Sequence, residues 1–75
     1  MKNYGEIYRR IGLNISYYRK VKGLTQEDLA ELAHISRSYL SCIEAPNIAQ
    51  SFSIATFFDI ANALGVEPQV LFEFR

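Results

Sequence analysis

The sequence predicts an all-α domain built from five short helices, and three observations lead there. Apolar residues recur at spacings of three and four, the period of a helix face, and no alternating strand pattern survives beside them. Hydroxyl residues that can cap a helix stand just ahead of the periodic segments, at Thr25, Ser36 and Ser53. Residues that end helices, Gly23, Pro46 and Gly65, stand just behind three of them. The 75 residues read as one domain, 1–75, near the lower size at which a single core holds without a staple.

The first helix is expected from about Tyr4 to Lys22, with Ile7, Ile11, Ile15 and Tyr18 on one stripe. Its last turn, Arg19-Lys20-Val21-Lys22, places cations where the helix dipole favours them, and Gly23 follows as a C-cap. Gly12 lies inside this helix, where it costs up to ~1 kcal/mol relative to alanine or else permits a close helix contact. Thr25 caps the second helix, with Asp28 at the capping-box position, and Leu29, Ala30, Leu32 and Ala33 supply its apolar contacts. Ser36 caps the third, whose inner residues are Leu40 and Ile43. Its outer face carries Arg37, Ser38, Ser41 and Cys42, and Pro46 ends it. Ile48 and Phe52 in the following loop are expected to tuck against the core. Ser53 begins a fourth helix with Ile54, Phe57, Ile60, Ala61 and Leu64 on its stripe, and Pro68 opens a short fifth one. Two short helices joined by a tight turn at Ala33-His34-Ile35, the second with a polar outer face, describe a helix-turn-helix over about 25–44.

Composition excludes several classes. No run approaches the ~18 apolar residues of a membrane span, and the charged N-terminal stretch lacks the apolar core of a signal peptide. One cysteine and one histidine supply neither an intrachain disulfide nor a structural zinc site, so no metal or cofactor is expected and the location is expected to be cytoplasmic. Net charge is zero, but it is unevenly spread. Residues 1–41 hold seven basic against four acidic residues, a net +3, and residues 42–75 hold one against four, a net −3. The basic half contains the outward helix, which favours a phosphate-facing side there.

The stretch GLTQEDLAELAHISRSYLSCIE, with Arg19 four residues before Gly23 and IANALGV at Ile60–Val66, resembles the phage-repressor-like (lambda repressor-like, Xre-type) helix-turn-helix family. The match covers about Ile11 to Phe72, with the whole pattern in register. It implies a compact five-helix domain that binds double-stranded DNA sequence-specifically in transcriptional regulation, with helix 36–44 in the major groove. Arg37 is the first outward residue of that helix, and an arginine there can meet guanine O6 and N7 through two parallel donors. The bland alternative is a solvated surface arginine. Ser38 and Cys42 match the family's other base-reading positions, although serine reads weakly and Cys42 also fits as a small filler. Gln26 matches a glutamine that bonds phosphate at the start of the second helix, or is a surface polar residue. Ser36 and Ser41 can donate to phosphates, and Tyr39 lies either on the DNA backbone or on the second helix. The family also pairs an arginine at the Arg19 position with the glutamate at Glu44, an orienting brace between the first and third helices. His34 stands where the family frequently has glycine.

One departure matters. After Glu44 the family often carries lysines and arginines, whereas APNIAQSFS has no charge, leaving backbone groups, Asn47 and Gln50 to meet phosphates. A second reading is therefore a protein-interaction module, such as an antitoxin-like partner, with secondary DNA binding. An enzyme ranks third, since neither a carboxylate pair nor a glycine-rich phosphate loop is present. The expected partners are a palindromic operator in double-stranded DNA and a second copy of the chain, meeting through the C-terminal helix at Val70, Leu71, Phe72 and Phe74.

Overall fold

Hydroxyl caps start three of the helices, and left-handed residues stop two of them. The computed structural model describes residues 4–74, which form α1 (Gly5–Val21), α2 (Gln26–Ala33), α3 (Arg37–Glu44), α4 (Ile54–Leu64) and a 3-10 turn, Pro68–Phe72. The all-α class stands, but the fifth helix is this single 3-10 turn rather than an α-helix. Five residues opened by proline leave too few i→i−4 bonds to nucleate an α-helix.

Thr25 accepts from the Asp28 amide at 3.0 Å while Asp28 accepts from the Thr25 amide at 2.9 Å, a complete capping box. Ser36 accepts from the Tyr39 amide at 3.0 Å, and Ser53 from the Thr56 amide at 3.1 Å. Helix α2 ends on His34 at φ 59°, ψ 39°, in the left-handed region that glycine normally fills. The amide of Ile35 then donates back to the Ala30 carbonyl at 3.0 Å, which turns the chain sharply into α3.

The core joins Ile11 and Ile15 of α1, Leu29 of α2, Leu40 and Ile43 of α3, Phe57, Ile60 and Leu64 of α4, and Leu71 of the 3-10 turn. Helix α1 crosses α3 at Gly12. A Cβ added there would collide with the Ile43 carbonyl oxygen, so glycine is required by the approach of two backbones. Asn14, one half-turn on, donates its side-chain amide to the Leu71 carbonyl at 2.9 Å and ties the 3-10 turn to α1.

Four apolar expectations shift. Ile7, Leu32, Ile48 and Ile54 are exposed rather than in the core. Ile7 and Ile54 lie at the open ends of their stripes, Leu32 lies a quarter-turn off the inner face of α2, and the loop at Ile48 stays on the surface. Phe52 alone of the loop residues reaches inward, edge-on to Tyr8 at 5.0 Å and parallel to Phe57 at 6.4 Å. Among the described residues no helix is long and apolar enough to cross a membrane.

Candidate nucleic-acid interface

Helix α3 owes its position to a brace at its last residue. The Glu44 side chain is 4% exposed and that of Arg19 is 11% exposed. Arg19 donates from Nε to Oε2 at 2.9 Å and from Nη2 to Oε1 at 3.0 Å, which is the bidentate fork that suits a buried carboxylate. Its Nη1 donates to the Leu24 carbonyl at 2.8 Å, so the same guanidinium also holds the α1–α2 connection. Gln26 adds a third anchor, donating from Nε2 to Glu44 Oε1 at 3.1 Å. One carboxylate thus gathers α1, α2 and α3, and among the described residues no buried side-chain polar atom is left without a partner.

The Gln26–Glu44 bond was not anticipated from the sequence. Its only signal was the capping box, which sets Gln26 as the first residue of α2 and aims it along the helix axis. The bond does not consume the amide, because a glutamine has two N–H donors and a carbonyl, and Glu44 takes one N–H. Gln26, Thr25 and Arg37 line a shallow polar depression of about 460 Å³, floored by Arg19 and Leu24. The first turn of α2 also presents the Gln26 and Glu27 amides there, since the Asp28 amide is the one that Thr25 caps.

Arg37 and Ser38 project from the first turn of α3 and are exposed, and Ser36 beside them accepts the cap bond on its oxygen and keeps its O–H as a donor. Arg37 has no hydrogen-bond or ion-pair partner among the described residues, so its guanidinium is available to a ligand. Ser41 and Cys42, a turn later, are half-buried, and Cys42 is a free thiol. Tyr39 is half-buried. Its ring packs against the core, and its hydroxyl donates to the Ser51 carbonyl at 3.3 Å, fastening α3 to the loop that follows.

Of the basic residues of α1, Arg9 is engaged with Glu6 at 2.8 Å, and this bond lowers the Glu6 carboxyl and raises Arg9 from their ordinary values. Arg10 lies 3.7 Å from Glu6 and over the Phe74 ring at 5.0 Å. Lys20 and Lys22 are exposed at the other end of the helix, next in sequence to Arg19 and Gly23, which line the polar depression. The surface around the α2 and α3 N-termini therefore combines free cations, backbone N–H groups and one unpaired arginine. That arrangement can bind phosphates and probe the edge of a base.

Comparison with known proteins agrees with this geometry. A family model described as helix-turn-helix matches residues 15–71. The immunity repressor protein of Bacillus phage phi105 is 44% identical over 57 residues, 76% of this chain and 38% of the repressor, so the chain spans well under half of that relative. The restriction-modification controller protein C.AhdI from Aeromonas hydrophila superposes with a TM-score of 0.80 at 34% identity, covering 87% of this chain and 96% of the controller. A variant of the controller C.Esp1396I, solved bound to its highest-affinity operator site, gives a TM-score of 0.79 at 28% identity, covering 95% and 88%.

Proposed function

The chain belongs to the helix-turn-helix family, and from that premise we propose that it is a sequence-specific double-stranded DNA-binding regulator of transcription. The observation that carries the proposal is the exposed, unpaired Arg37 at the first turn of an α3 whose angle is fixed by the buried Arg19–Glu44 fork. Helix α3 enters the major groove, with Arg37 reading a base pair and Ser38 and Cys42 beside it. Gln26 contacts a phosphate through its remaining N–H, together with the α2 amides, while Ser36 and Ser41 face the same backbone. Tyr39 ties α3 to the following loop through Ser51. The relatives are named as repressors and controllers, and a solved neighbour sits on an operator, which supports the regulatory reading. This family is one of DNA-binding regulators and not an enzyme class, and the chain acts where the DNA is, in the cytoplasm.

One surface contributes few charges, and this sets a second requirement. The loop 45–53 is uncharged, so a single copy meets phosphates with little beyond Lys20, Lys22, Gln26 and backbone amides. A monomer then binds near the non-specific range of ~10⁻⁴–10⁻⁶ M. We propose that two copies bind a palindromic operator, their α3 helices about 34–36 Å apart. The same uncharged loop, with Ile48 exposed on it, favours a protein partner as the second reading. Selection of bound sequences from a random DNA pool separates the two. Enrichment of a palindrome supports the regulator, and a pool that enriches nothing overturns it in favour of the interaction module.

A further inference from the structure

The loop 45–53 has no charge of its own, yet the fold brings a cation to it. Arg9 of α1, 37 residues away in sequence, places Nη1 at 3.5 Å from the Pro46 carbonyl. Its Nε and Nη2 donate to the two carboxylate oxygens of Glu6 at 2.9 and 2.8 Å. These contacts orient the guanidinium beside the loop and leave two of its five N–H donors over. The amides of Asn47 and Ala49, which flank Ile48 on the surface, donate to no group among the described residues. Arg10 turns to another side of α1 and lies over the Phe74 ring at 5.0 Å. An i,i+3 pair such as Glu6–Arg9, with Glu6 60% and Arg9 32% exposed, adds under ~1 kcal/mol, so the fold itself has little need of Arg9.

We propose that Arg9 is a DNA phosphate contact, carried by α1 to the loop after α3 to supply the charge that this loop lacks, with Glu6 as its latch. The inference rests on the DNA-binding reading and adds to it a residue from outside the helix-turn-helix. Placement supports it. Helix α3 has eight residues and spans about 12 Å, close to the ~12 Å width of the major groove. The polar depression with Gln26 and Arg37 opens at its N-terminal end, and Arg9 with the loop amides stands past its C-terminal end. The two ends thus suit the two phosphate walls of the groove. Helix α1 serves both, because Arg9 and Lys20 are eleven residues apart, close to three full turns, and share one line along it. The two free N–H donors of Arg9 suit phosphate oxygens, and the Asn47 and Ala49 amides can meet the same group. Glu6 remains beside the phosphate and opposes it. One such contact contributes about 0.9 to the slope of log affinity against log salt, or about five-fold at physiological salt. That gain leaves the need for two copies in place.

The test measures binding of the full chain to a selected operator and to a mixed-sequence duplex, each across a salt series. Arg9→Gln should lower affinity about five-fold on both duplexes and reduce the salt slope by about 0.9 per copy. Arg10→Gln removes the same charge one residue on and should leave the slope as it is. Arg9→Lys should keep the slope, and Glu6→Gln should bind a few-fold more tightly than the parent. Phosphates are then replaced one at a time by neutral methylphosphonates. One position in each half-site should weaken the parent and leave Arg9→Gln unaffected. Circular dichroism and melting curves of the four variants should stay close to the parent's, which separates lost contacts from lost folding. An Arg9→Gln protein with the parent's slope, an equal loss in Arg10→Gln, or a scan in which no phosphate couples to Arg9 overturns the inference and leaves the DNA reading standing. A parent that binds both duplexes alike removes sequence specificity, while the salt series still decides the role of Arg9. A parent that binds neither duplex overturns both.

Discussion

Arg19 closes over Glu44 from 25 residues away, and the fork lies where α1, α2 and α3 meet. Its effect is asymmetric. With both partners present the charges cancel at 2.9 Å, whereas removing one strands the other in a nearly water-free site. Glu44→Ala is therefore expected to destabilise the fold by about 3–5 kcal/mol, as is Arg19→Met. The double variant Arg19→Met with Glu44→Leu should recover most of the loss, because the Leu24 carbonyl and the Gln26 amide can turn to water in the depression above. Urea unfolding of the three variants checks this. Single variants that unfold like the parent would remove the pair as the brace.

Gly12 secures the same two helices at a second point, seven residues before Arg19. In an open helix Gly12→Ala would raise stability by up to ~1 kcal/mol through propensity. Here the new methyl meets the Ile43 carbonyl, a backbone group that cannot rotate away, so α1 and α3 must separate. The expected outcome is a loss of about 1–3 kcal/mol or more, with weaker operator binding as Glu44 moves with Ile43. A melting temperature at or above the parent's would show that the crossing is looser than the structure has it.

What the sequence made legible follows from how local each cause is. The boundaries of α2, α3 and α4 were set by Thr25, Ser36 and Ser53, whose hydroxyls act within three residues, and they stand as read. Exposure of Ile7 and Ile54 could not be read, because helical period fixes a face but not where the neighbouring element stops covering it. The Tyr39–Ser51 bond could not be read for a similar reason, since Ser51 lies in an irregular loop that has no period. The pairing of Arg19 with Glu44 came from a resemblance, as no spacing rule reaches across 25 residues. The Gln26–Glu44 bond needed the helix angle itself, which is a property of the packed core.

The capping box makes α2 sensitive to acid. The Asp28 carboxylate accepts from the Thr25 amide at 2.9 Å, and this bond holds its pKa below the ordinary value of 3.8. A depressed carboxylate contributes stability above its unfolded pKa and loses it as pH falls through the lower folded value. The difference in melting temperature between parent and Asp28→Asn should therefore be greatest at neutral pH and shrink as pH drops below the ordinary carboxylate range. A difference that stays constant into acid would show that the charge of Asp28 plays no part in the cap.

Arg37 offers the sharpest test of base reading, because its charge and its geometry can be separated. The side chain is exposed at the first turn of α3, and among the described residues it has no partner, so Arg37→Ala should leave unfolding unchanged. Affinity for the selected operator should fall by ~1–3 kcal/mol, and preference should relax at one base pair. Arg37→Lys then decides what kind of contact was lost. A lysine keeps the positive charge but lacks the planar fork that matches guanine O6 and N7. If Arg37 reads a base, lysine should recover the salt dependence of binding yet leave the base preference relaxed. If Arg37 instead meets a phosphate across the depression it shares with Gln26, lysine should restore affinity on every sequence alike. The alanine variant would then weaken binding uniformly and lower the slope of affinity against salt by about one unit. Competition between operators that differ at single positions, run at two salt concentrations, distinguishes these outcomes, and undiminished selectivity in Arg37→Ala would remove it as the reader.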